Sequence, residues 1–377
     1  MRERFQQALT AMRNAGAEAL VLTPGADLFY LTGFEHAHAM ERLLALVLKS
    51  DGTASWIAPR MNVPQVERRA RDSERIFGWT DEEGYLPVLK SEVTEAASIA
   101  FDEEARAGFL LDLMSVAPRA RLLGAGQITR GLRIRKDASE LAALRKAASQ
   151  VDQTIAQAIA FCRPGRREDQ VDRDLRAALL ARDPESHVAF TIIATGPNSA
   201  LPHHETARRT IEYGDVVILD FGTRGSVPLD GGSEVSRLYG YQSDITVTCG
   251  VGEPTDAEVR QVYQVVWEAQ QAAIREVRPG ASCHQIDQAA RTVIESTGYS
   301  PYFIHRTGHG LGLSGHEPPY LRSGNFEVLE ESMVFSIEPG IYLPGRFGVR
   351  LEVIVAVGKS GPDLINASSA PQLPVTC

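Results

Sequence analysis

The C-terminal half of this chain is organised around one buried-strand pattern, Asp215-Val216-Val217-Ile218-Leu219-Asp220-Phe221. The run of β-branched and apolar residues predicts a strand inside the protein. Side chains alternate along a strand, so Asp220 shares a face with Val216 and Ile218. A buried carboxylate is costly unless it is paired or binds a metal ion. Asp220 is therefore a candidate ligand.

Three further acidic residues interrupt apolar strand patterns. They are Asp244 in Ser243–Thr248, Glu338 at the end of Met333–Glu338, and Glu352 in Val349–Val355. Any one of these acids alone is more often a structural carboxylate with satisfied hydrogen bonds. Because four of them fall in strands of one domain, the pattern favours a shared cation site.

Histidine is the remaining ligand type. His309 lies in Thr307–Gly312 with glycine on both sides, which lets the backbone approach its neighbours closely. His203 and His316 could reach the same cavity, although each alone is equally consistent with an ordinary histidine. His204 is predicted to lie at the surface, and His187, His284 and His305 are predicted to be structural.

Four carboxylates and one imidazole form an oxygen-rich ligand set. Such ligands suit Mn²⁺, Co²⁺, Fe²⁺ or Zn²⁺ rather than Cu⁺. One cation does not need four anionic ligands, whereas two cations about 3.5–4 Å apart do. We therefore expect two divalent metal ions per subunit. The ligand types do not choose among manganese, cobalt, zinc and iron, and manganese is our first choice.

The chain is predicted to form two domains. Residues 1–128 alternate helix and strand patterns, which is typical of an α/β domain, with helices expected near 62–71, 81–89 and 103–116. Residues 129–377 begin with a long amphipathic helix and become strand-rich after 190, with one strand expected over 349–357. This mixture predicts an α+β domain with a mainly antiparallel sheet.

Composition limits the classes of function. Apolar residues make up 44% of the chain and the formal net charge is −9, which argues against a nucleic-acid or anionic-membrane binder. We find no signal-peptide pattern and no apolar run of about 18 residues. The four cysteines form no CxxC pair, so we expect a protein of the reducing cytoplasm.

Together these residues resemble the creatinase/prolidase/aminopeptidase P family of pita-bread hydrolases. The motifs are Pro202-His203, Asp220-Phe221-Gly222, Ser243-Asp244-Ile245-Thr246, Gly308-His309-Gly310, Ile337-Glu338-Pro339-Gly340 and Arg350-Leu351-Glu352, with Phe29–Phe34 in the N-terminal part. The resemblance covers nearly the whole chain. It implies a creatinase-like α/β domain followed by a catalytic domain with a curved, mainly antiparallel sheet, and it is closest to Xaa-Pro peptidases.

The resemblance also implies roles. A hydroxide that bridges two metal ions would attack the carbonyl before proline, and Glu338 would act as the general base. Asp220, Asp244, His309, Glu338 and Glu352 would hold the metal ions, while His203 and His316 would bind substrate and the tetrahedral intermediate. Arg350 would orient Glu352 or contact the substrate.

Two departures from the family pattern stand out. Asp220 and Asp244 are 24 residues apart (244 − 220), about twice the family spacing, so Thr223–Tyr239 is extra. We interpret it as a longer hairpin tip, with an active-site flap or an arm onto a partner subunit as alternatives. Val247 replaces an arginine that is frequent in the family, so a support or substrate contact would be lost.

Substrate length is the open question. A dipeptidase must bind a free carboxylate after proline, and the segment Phe34–Arg42 resembles histidine-bearing loops that close the site in dimeric dipeptidases. His36 or His38 would then bind substrate, which favours a homodimeric Xaa-Pro dipeptidase. An aminopeptidase P acting on longer peptides is the alternative. A metal-free creatinase-like hydrolase or a peptide-binding module is the third, although all five metal ligands are present.

Overall fold

The computed structural model describes residues 2–36, 41–227, 236, 238–367 and 369–376. The chain divides into two compact units between Arg133 and Ile134, and the described residues of 228–239 group with the first unit. The division thus lies five residues after the predicted boundary (133 − 128). Residue 128, the predicted end of the first domain, lies within the helix Gly126–Arg133, and the domain bounds stay a prediction.

The first unit is built on a six-stranded mixed sheet in the order β4-β3-β2-β1-β5-β6. The strands are β1 (Ala19–Leu22), β2 (Ala45–Lys49), β3 (Ala54–Pro59), β4 (Arg75–Trp79), β5 (Ser98–Phe101) and β6 (Arg121–Gly124). The helices are α1 (Arg2–Ala15), α2 (Ala26–Thr32), α3 (Val63–Glu67), α4 (Leu86–Val93), α5 (Ala107–Val116) and α6 (Gly126–Arg133). The α/β prediction is confirmed, although the helix expected over 62–71 is shortened to α3 by the turn into β4.

The described end of the extra segment packs within this first unit. Ser236 Oγ donates to Glu35 Oε2 at 2.5 Å, and the Leu238 amide donates to the same oxygen at 3.2 Å. The Tyr239 ring stacks on Phe29, with 4.9 Å between ring centroids. These contacts hold the segment end in place, and its interpretations as a flap or a subunit arm stay predictions.

The second unit contains the predicted strand-rich region. Its helices are α7 (Ala138–Phe161), α8 (Glu168–Arg182), α9 (Val259–Glu276) and α10 (Cys283–Ser296). Its strands are β7 (His187–Thr195), β8 (Val216–Arg224), β9 (Ile245–Val251), β10 (Gly308–Gly310), β11 (Glu317–Leu321), β12 (Val334–Ile337), β13 (Gly340–Leu343), β14 (Phe347–Arg350), β15 (Val353–Val357), β16 (Pro362–Leu364) and β17 (Val375–Thr376). Short 3₁₀ turns occupy Arg60–Asn62, Gly196–Ala200 and Ser300–Tyr302.

Among the described residues of this unit, strand pairing is antiparallel apart from β17 beside β9. The strands form three sheets, in the orders β17-β9-β8-β7, β11-β10-β12-β15-β16 and β13-β14. Asp137 starts α7 with a capping box, in which its carboxylate accepts from the Ser139 and Glu140 amides while Glu140 accepts from the Asp137 amide. Apolar residues of α7 then pack on Leu219 and Val247.

The strand predicted over 349–357 is wrong as one element. Residues up to Arg350 pair with β13, whereas Val353–Val357 pairs with β12 in another sheet. Between them, the Leu351 amide donates to Pro339 O at 3.4 Å and the Glu352 amide donates to Thr246 O at 3.0 Å. The chain therefore passes from one sheet to the next at Glu352, which places this acid at a junction of sheets.

No helix in the described ranges is long and apolar enough to cross a membrane.

Candidate metal centre

The four predicted acids meet in one cavity of about 420 Å³ in the second unit. Asp220 lies within β8, Asp244 directly precedes β9, Glu338 directly follows β12, and Glu352 lies between β14 and β15. The expectation that every acid lies inside a strand thus holds for Asp220 alone. The other three are at strand ends, where sheets adjoin and side chains from different sheets can converge.

His309 enters the cavity from the short strand β10. A Cβ on Gly308 would lie 1.9 Å from Ser336 O, and one on Gly310 would lie 2.3 Å from Pro318 O. The two glycines therefore allow β10 to fit between its neighbouring strands, as the sequence predicted. Because His309 Nδ1 faces the Gly310 carbonyl at 3.1 Å, it carries the proton, and Nε2 is left as a ligand atom.

Side chains of the cavity form groups that could hold metal ions. His309 Nε2 lies 3.3 Å from Glu338 Oε1 and 3.8 Å from Asp244 Oδ2. Three groups have all their ligand atoms within 4.8 Å of one another: Asp244, His309 and His316; His309, Glu338 and Glu352; and Asp220, Asp244 and Glu352. Asp244, His309 and Glu352 each belong to two of these groups, so the three groups form one connected cluster.

Three carboxylate oxygens of the cavity have no hydrogen-bond partner and are candidate ligand atoms. Asp220 Oδ1, Asp244 Oδ1 and Glu352 Oε1 are buried and have no hydrogen-bond partner. Buried polar atoms are rarely left without a partner, because desolvation then goes uncompensated. Three such carboxylate oxygens in one cavity fit divalent cations, which carboxylates bind through these lone pairs.

The electrostatics agree with this fit. Burial raises the pKa of Asp244 and of Glu352 well above the usual range, and the neighbouring carboxylates raise both further. Burial also raises the pKa of Glu338 to about 7, although Arg350 opposes this shift. Burial, with His316 nearby, lowers the pKa of His309 to about 3, so its imidazole is neutral. Bound cations would compensate these crowded negative charges.

Arg350 links two of the acids. Its Nη2 donates to Asp220 Oδ2 at 2.5 Å, and its Nε donates to Thr246 Oγ1 at 3.0 Å. Thr246 Oγ1 in turn donates to Glu352 Oε2 at 2.8 Å. One oxygen of each carboxylate is thereby fixed while the other is the unpaired oxygen described above. These contacts are those of a residue that orients ligands, and substrate binding by Arg350 stays a prediction.

His305 is a cavity residue that the sequence interpretation left as structural. Its Nδ1 donates to Arg306 O at 2.7 Å, and its Nε2 accepts from the Tyr342 hydroxyl at 2.9 Å. The same hydroxyl accepts from Arg350 Nη1 at 2.9 Å. Burial lowers the pKa of His305 to about 4. Its position in the sequence, four residues before His309, was the available signal.

His203 and His316 both line the cavity and are exposed. The His316 ring lies against His309, with 3.8 Å between centroids. Arg306 Nη2 donates to His316 Nδ1 at 3.2 Å. Because a guanidinium cannot accept, the proton of a neutral His316 lies on Nε2. His203 follows Pro202, whose carbonyl accepts from Arg350 Nη1 at 3.0 Å.

Glu168 fixes the loop that carries His203. This fully buried carboxylate accepts hydrogen bonds from Thr195 N, Thr195 Oγ1, Asn198 Nδ2, His204 Nε2 and Ala207 N, at 2.8–3.0 Å. Burial alone would raise the pKa of Glu168, but these hydrogen bonds outweigh it and hold the pKa below the usual 4.5. The side chain of His204, predicted at the surface, is only 9% exposed because it is one of these partners.

The cavity lining does not include His36, one of the two histidines predicted to bind substrate from the N-terminal domain. His36 lies in the first unit, half-buried, with its ring centroid 6.3 Å from that of Phe34. His38 falls outside the described residues. The residues that line the cavity all belong to the second unit, and the roles of His36 and His38 stay predictions.

Comparison with known proteins supports the assignment of the fold. A model of metallopeptidase family M24 matches residues 142–359, and a model of the creatinase/prolidase N-terminal domain matches residues 4–135. The probable dipeptidase PepE of Mycobacterium tuberculosis is 40% identical over 372 residues, covering 96% of this chain and 93% of that protein.

Two solved structures are similar over their full length. Dipeptidase PepE from Mycobacterium ulcerans is 38% identical, with a TM-score of 0.90 over 99% of this chain and 97% of that one. A prolidase from Thermococcus sibiricus is 33% identical, with a TM-score of 0.89 over 100% and 99%. The chain therefore belongs to metallopeptidase family M24: it is a hydrolase with a creatinase/prolidase N-terminal domain and a pita-bread catalytic domain.

Proposed function

We propose that this protein hydrolyses the peptide bond before proline in Xaa-Pro dipeptides, with two divalent cations per subunit. The observation that carries the proposal is the convergence of five ligand side chains on one cavity, in which three buried carboxylate oxygens lack any other partner. The relatives named dipeptidase and prolidase support this choice of substrate. The same unpaired oxygens argue against a metal-free creatinase-like hydrolase or a peptide-binding module, because these oxygens would then be buried without a partner.

Asp220, Asp244, Glu352, Glu338 and His309 would hold the cations, and manganese is our first choice. When bound, two such ions lower the pKa of a water molecule and polarise the scissile carbonyl. Arg350 keeps Asp220 in position while Thr246 does the same for Glu352. The chain thereby presents preorganised ligands, and little rearrangement is needed on binding.

Glu338 is our candidate for the general base. It lines the cavity, and its Oε1 accepts from Ser336 Oγ at 3.2 Å. This hydrogen bond limits the rotation of the carboxylate, so a substrate water would meet an oxygen in a fixed position. A positioned carboxylate that accepts a proton in the transition state contributes about 10²–10⁴-fold in rate.

His203 and His316 would stabilise the reacting carbonyl. Both are exposed in the cavity wall, as groups that contact substrate must be. His316 presents its Nε2–H as a donor because Arg306 occupies Nδ1. A donor aimed at a developing oxyanion is worth about 10²–10³-fold in rate. The Glu168 cluster holds the loop before His203 in place.

Hydrolysis of matched peptides tests the proposal. The protein is stripped of metal with EDTA, reloaded with Mn²⁺, and assayed on Ala-Pro and Ala-Pro-Ala. We expect Mn²⁺-dependent cleavage with Ala-Pro preferred, and loss of cleavage in Glu338→Gln, whose Mn²⁺ content is measured as well because Glu338 is also a proposed ligand. Faster cleavage of the tripeptide would indicate an aminopeptidase P instead of a dipeptidase. Equal cleavage with and without Mn²⁺ would exclude both activities.

We also propose a homodimer, on the strength of the family resemblance. Sedimentation velocity at micromolar protein gives the mass directly. A chain of 41.1 kDa should sediment with twice that mass, and a single species of monomer mass would contradict the proposal.

A further inference from the structure

Arg306 is a cation in the cavity wall that the proposed chemistry does not use. Its side chain is half-buried and lines the same cavity as the metal-binding residues. The guanidinium lies over the Tyr320 ring, 4.4 Å from the ring centroid, and bonds His316 at 3.2 Å. With the residues that the structure describes, Arg306 forms no salt bridge, so its charge is available to a ligand.

The backbone on both sides of Arg306 is fixed from helix α10. Arg291 Nη2 donates to His305 O at 2.6 Å, and Asp287 Oδ1 accepts from Thr307 N at 3.2 Å and from Thr307 Oγ1 at 2.7 Å. Asp287 and Arg291 also pair with each other at 2.7 Å. An arginine held in this way loses less conformational freedom when it binds an anion.

Arg306 is separated from the proposed metal ligand His309 by one side chain, that of His316. The scissile carbonyl must lie beside the metal ligands, and the carboxylate that follows proline lies one residue beyond it, about 3.5 Å in an extended chain. His316 lies between the two in the cavity wall, since its ring is tilted against that of His309 and its Nδ1 accepts from Arg306 Nη2. A ligand that extends one residue beyond the metal-binding side chains could therefore meet Arg306.

The charges of the cavity match those of a dipeptide. The lining of the cavity combines four carboxylates that could hold cations with Arg306, which has no acidic partner among the described residues. A zwitterionic dipeptide offers an anion at the end that would face Arg306. A longer peptide has a neutral amide there and gains nothing from the positive charge.

We propose that Arg306 binds the free α-carboxylate of the dipeptide substrate and thereby selects dipeptides over longer peptides. The inference rests on the proposed function and adds a specificity-determining residue to it. Guanidinium and carboxylate form two parallel N–H···O bonds when the carboxylate is free, and an amide cannot reproduce this pairing. Tyr320 acts as a positioning residue that holds the guanidinium plane.

The test compares Ala-Pro with Ala-Pro-amide, in which only the carboxylate is removed. Arg306→Gln is the informative variant, because glutamine keeps an N–H donor for His316 but loses the charge. We expect the wild type to prefer the acid. In Arg306→Gln, kcat/KM should fall about 10–100-fold for Ala-Pro, the range for hydrogen bonds to a charged group, and less than about threefold for the amide.

Two controls separate charge from structure. Arg306→Lys keeps the charge without the planar fork and should retain part of the preference for the acid. Arg322→Gln removes an exposed arginine whose Nη1 bonds only the neighbouring Ser323 carbonyl in the described chain, and it should leave the preference unchanged. Mn²⁺ content is measured for every variant, so that loss of metal is not mistaken for loss of substrate binding.

Distinct outcomes overturn distinct claims. If Arg306→Gln slows both substrates equally, the arginine only positions His316 and the inference is wrong. If the wild type cleaves acid and amide equally well, no carboxylate is recognised, while Xaa-Pro hydrolysis stands. If Mn²⁺-loaded wild type cleaves neither substrate, the proposed function itself fails.

Discussion

Replacing Arg350 with lysine should weaken metal binding without removing the positive charge beside Asp220. The guanidinium donates to Asp220, Thr246, Pro202 O and Tyr342 from three different nitrogens. A lysine has three N–H groups on a single nitrogen, so it can pair with Asp220 but cannot also hold the Thr246 hydroxyl that fixes Glu352. The Glu352 carboxylate would lose its fixed rotamer, and Asp220 would be held by a single ammonium group without the planar fork of arginine.

The expected size of the effect follows from this geometry. Loss of a group that orients a metal ligand costs about 10–100-fold in metal affinity, or about 1.4–2.7 kcal/mol. Isothermal titration of EDTA-treated protein with Mn²⁺ measures the affinity of wild type and Arg350→Lys directly. In Arg350→Lys, the Mn²⁺-binding step with reduced affinity should be the one in which Asp220 and Glu352 act as ligands.

Arg209→Lys is the matched control. Arg209 pairs with Asp215 at 2.5 Å in the same unit, and neither residue lines the cavity. Both variants should lose some stability, but only Arg350→Lys should lose Mn²⁺ affinity. A Mn²⁺ affinity of Arg350→Lys within about twofold of wild type would refute the orienting role.

Three further predictions concern stability. Glu168→Gln should lower the free energy of unfolding by about 2 kcal/mol at pH 7, measured by urea unfolding. Because hydrogen bonds hold the pKa of Glu168 in the folded protein below 4.5, the stability difference between variant and wild type should shrink as the pH falls below that value. A stability difference that does not change with pH would contradict this prediction. Mn²⁺ at about 100 times its dissociation constant should add about 2.7 kcal/mol of stability per site in thermal unfolding, and an unchanged transition would count against the site. Lys136→Met removes the buried ion pair between Lys136 and Glu317, which are 2.6 Å apart, and should lower the free energy of unfolding by about 3–5 kcal/mol. The double variant Lys136→Met/Glu317→Leu should recover part of that loss. Equal losses of stability in the single and double variants would contradict the pairing.

The acids of the site could be found from sequence because charge inside an apolar strand is rare. Asp220 is such a residue, and the structure places it within β8. Glu352 was found by the same argument, although the strand around it is in fact two strands of different sheets. A local sequence pattern predicts that an acidic residue is buried. It does not show which sheet the flanking residues join, because that depends on partners distant in sequence, such as Thr246, whose carbonyl accepts from the Glu352 amide.

Residues outside apolar patterns carried no comparable signal. His305 and Arg306 lie in a polar loop, and their position in the cavity depends on contacts with Asp287 and Arg291 of α10. Glu168 begins a helix in the sequence and reads as an ordinary first-turn acid, yet it organises the loop before His203. Such roles follow from long-range hydrogen bonds, which no short window of sequence contains.

The central claim is that Asp220, Asp244, His309, Glu338 and Glu352 hold two divalent cations. Native mass spectrometry of the full chain, stripped with EDTA and titrated with Mn²⁺, counts them directly. We predict two Mn²⁺ ions per chain in the wild type and a loss of ordered binding in Glu352→Gln, because Glu352 belongs to two of the three ligand groups. A wild-type chain that saturates at no ion or at one would contradict the account.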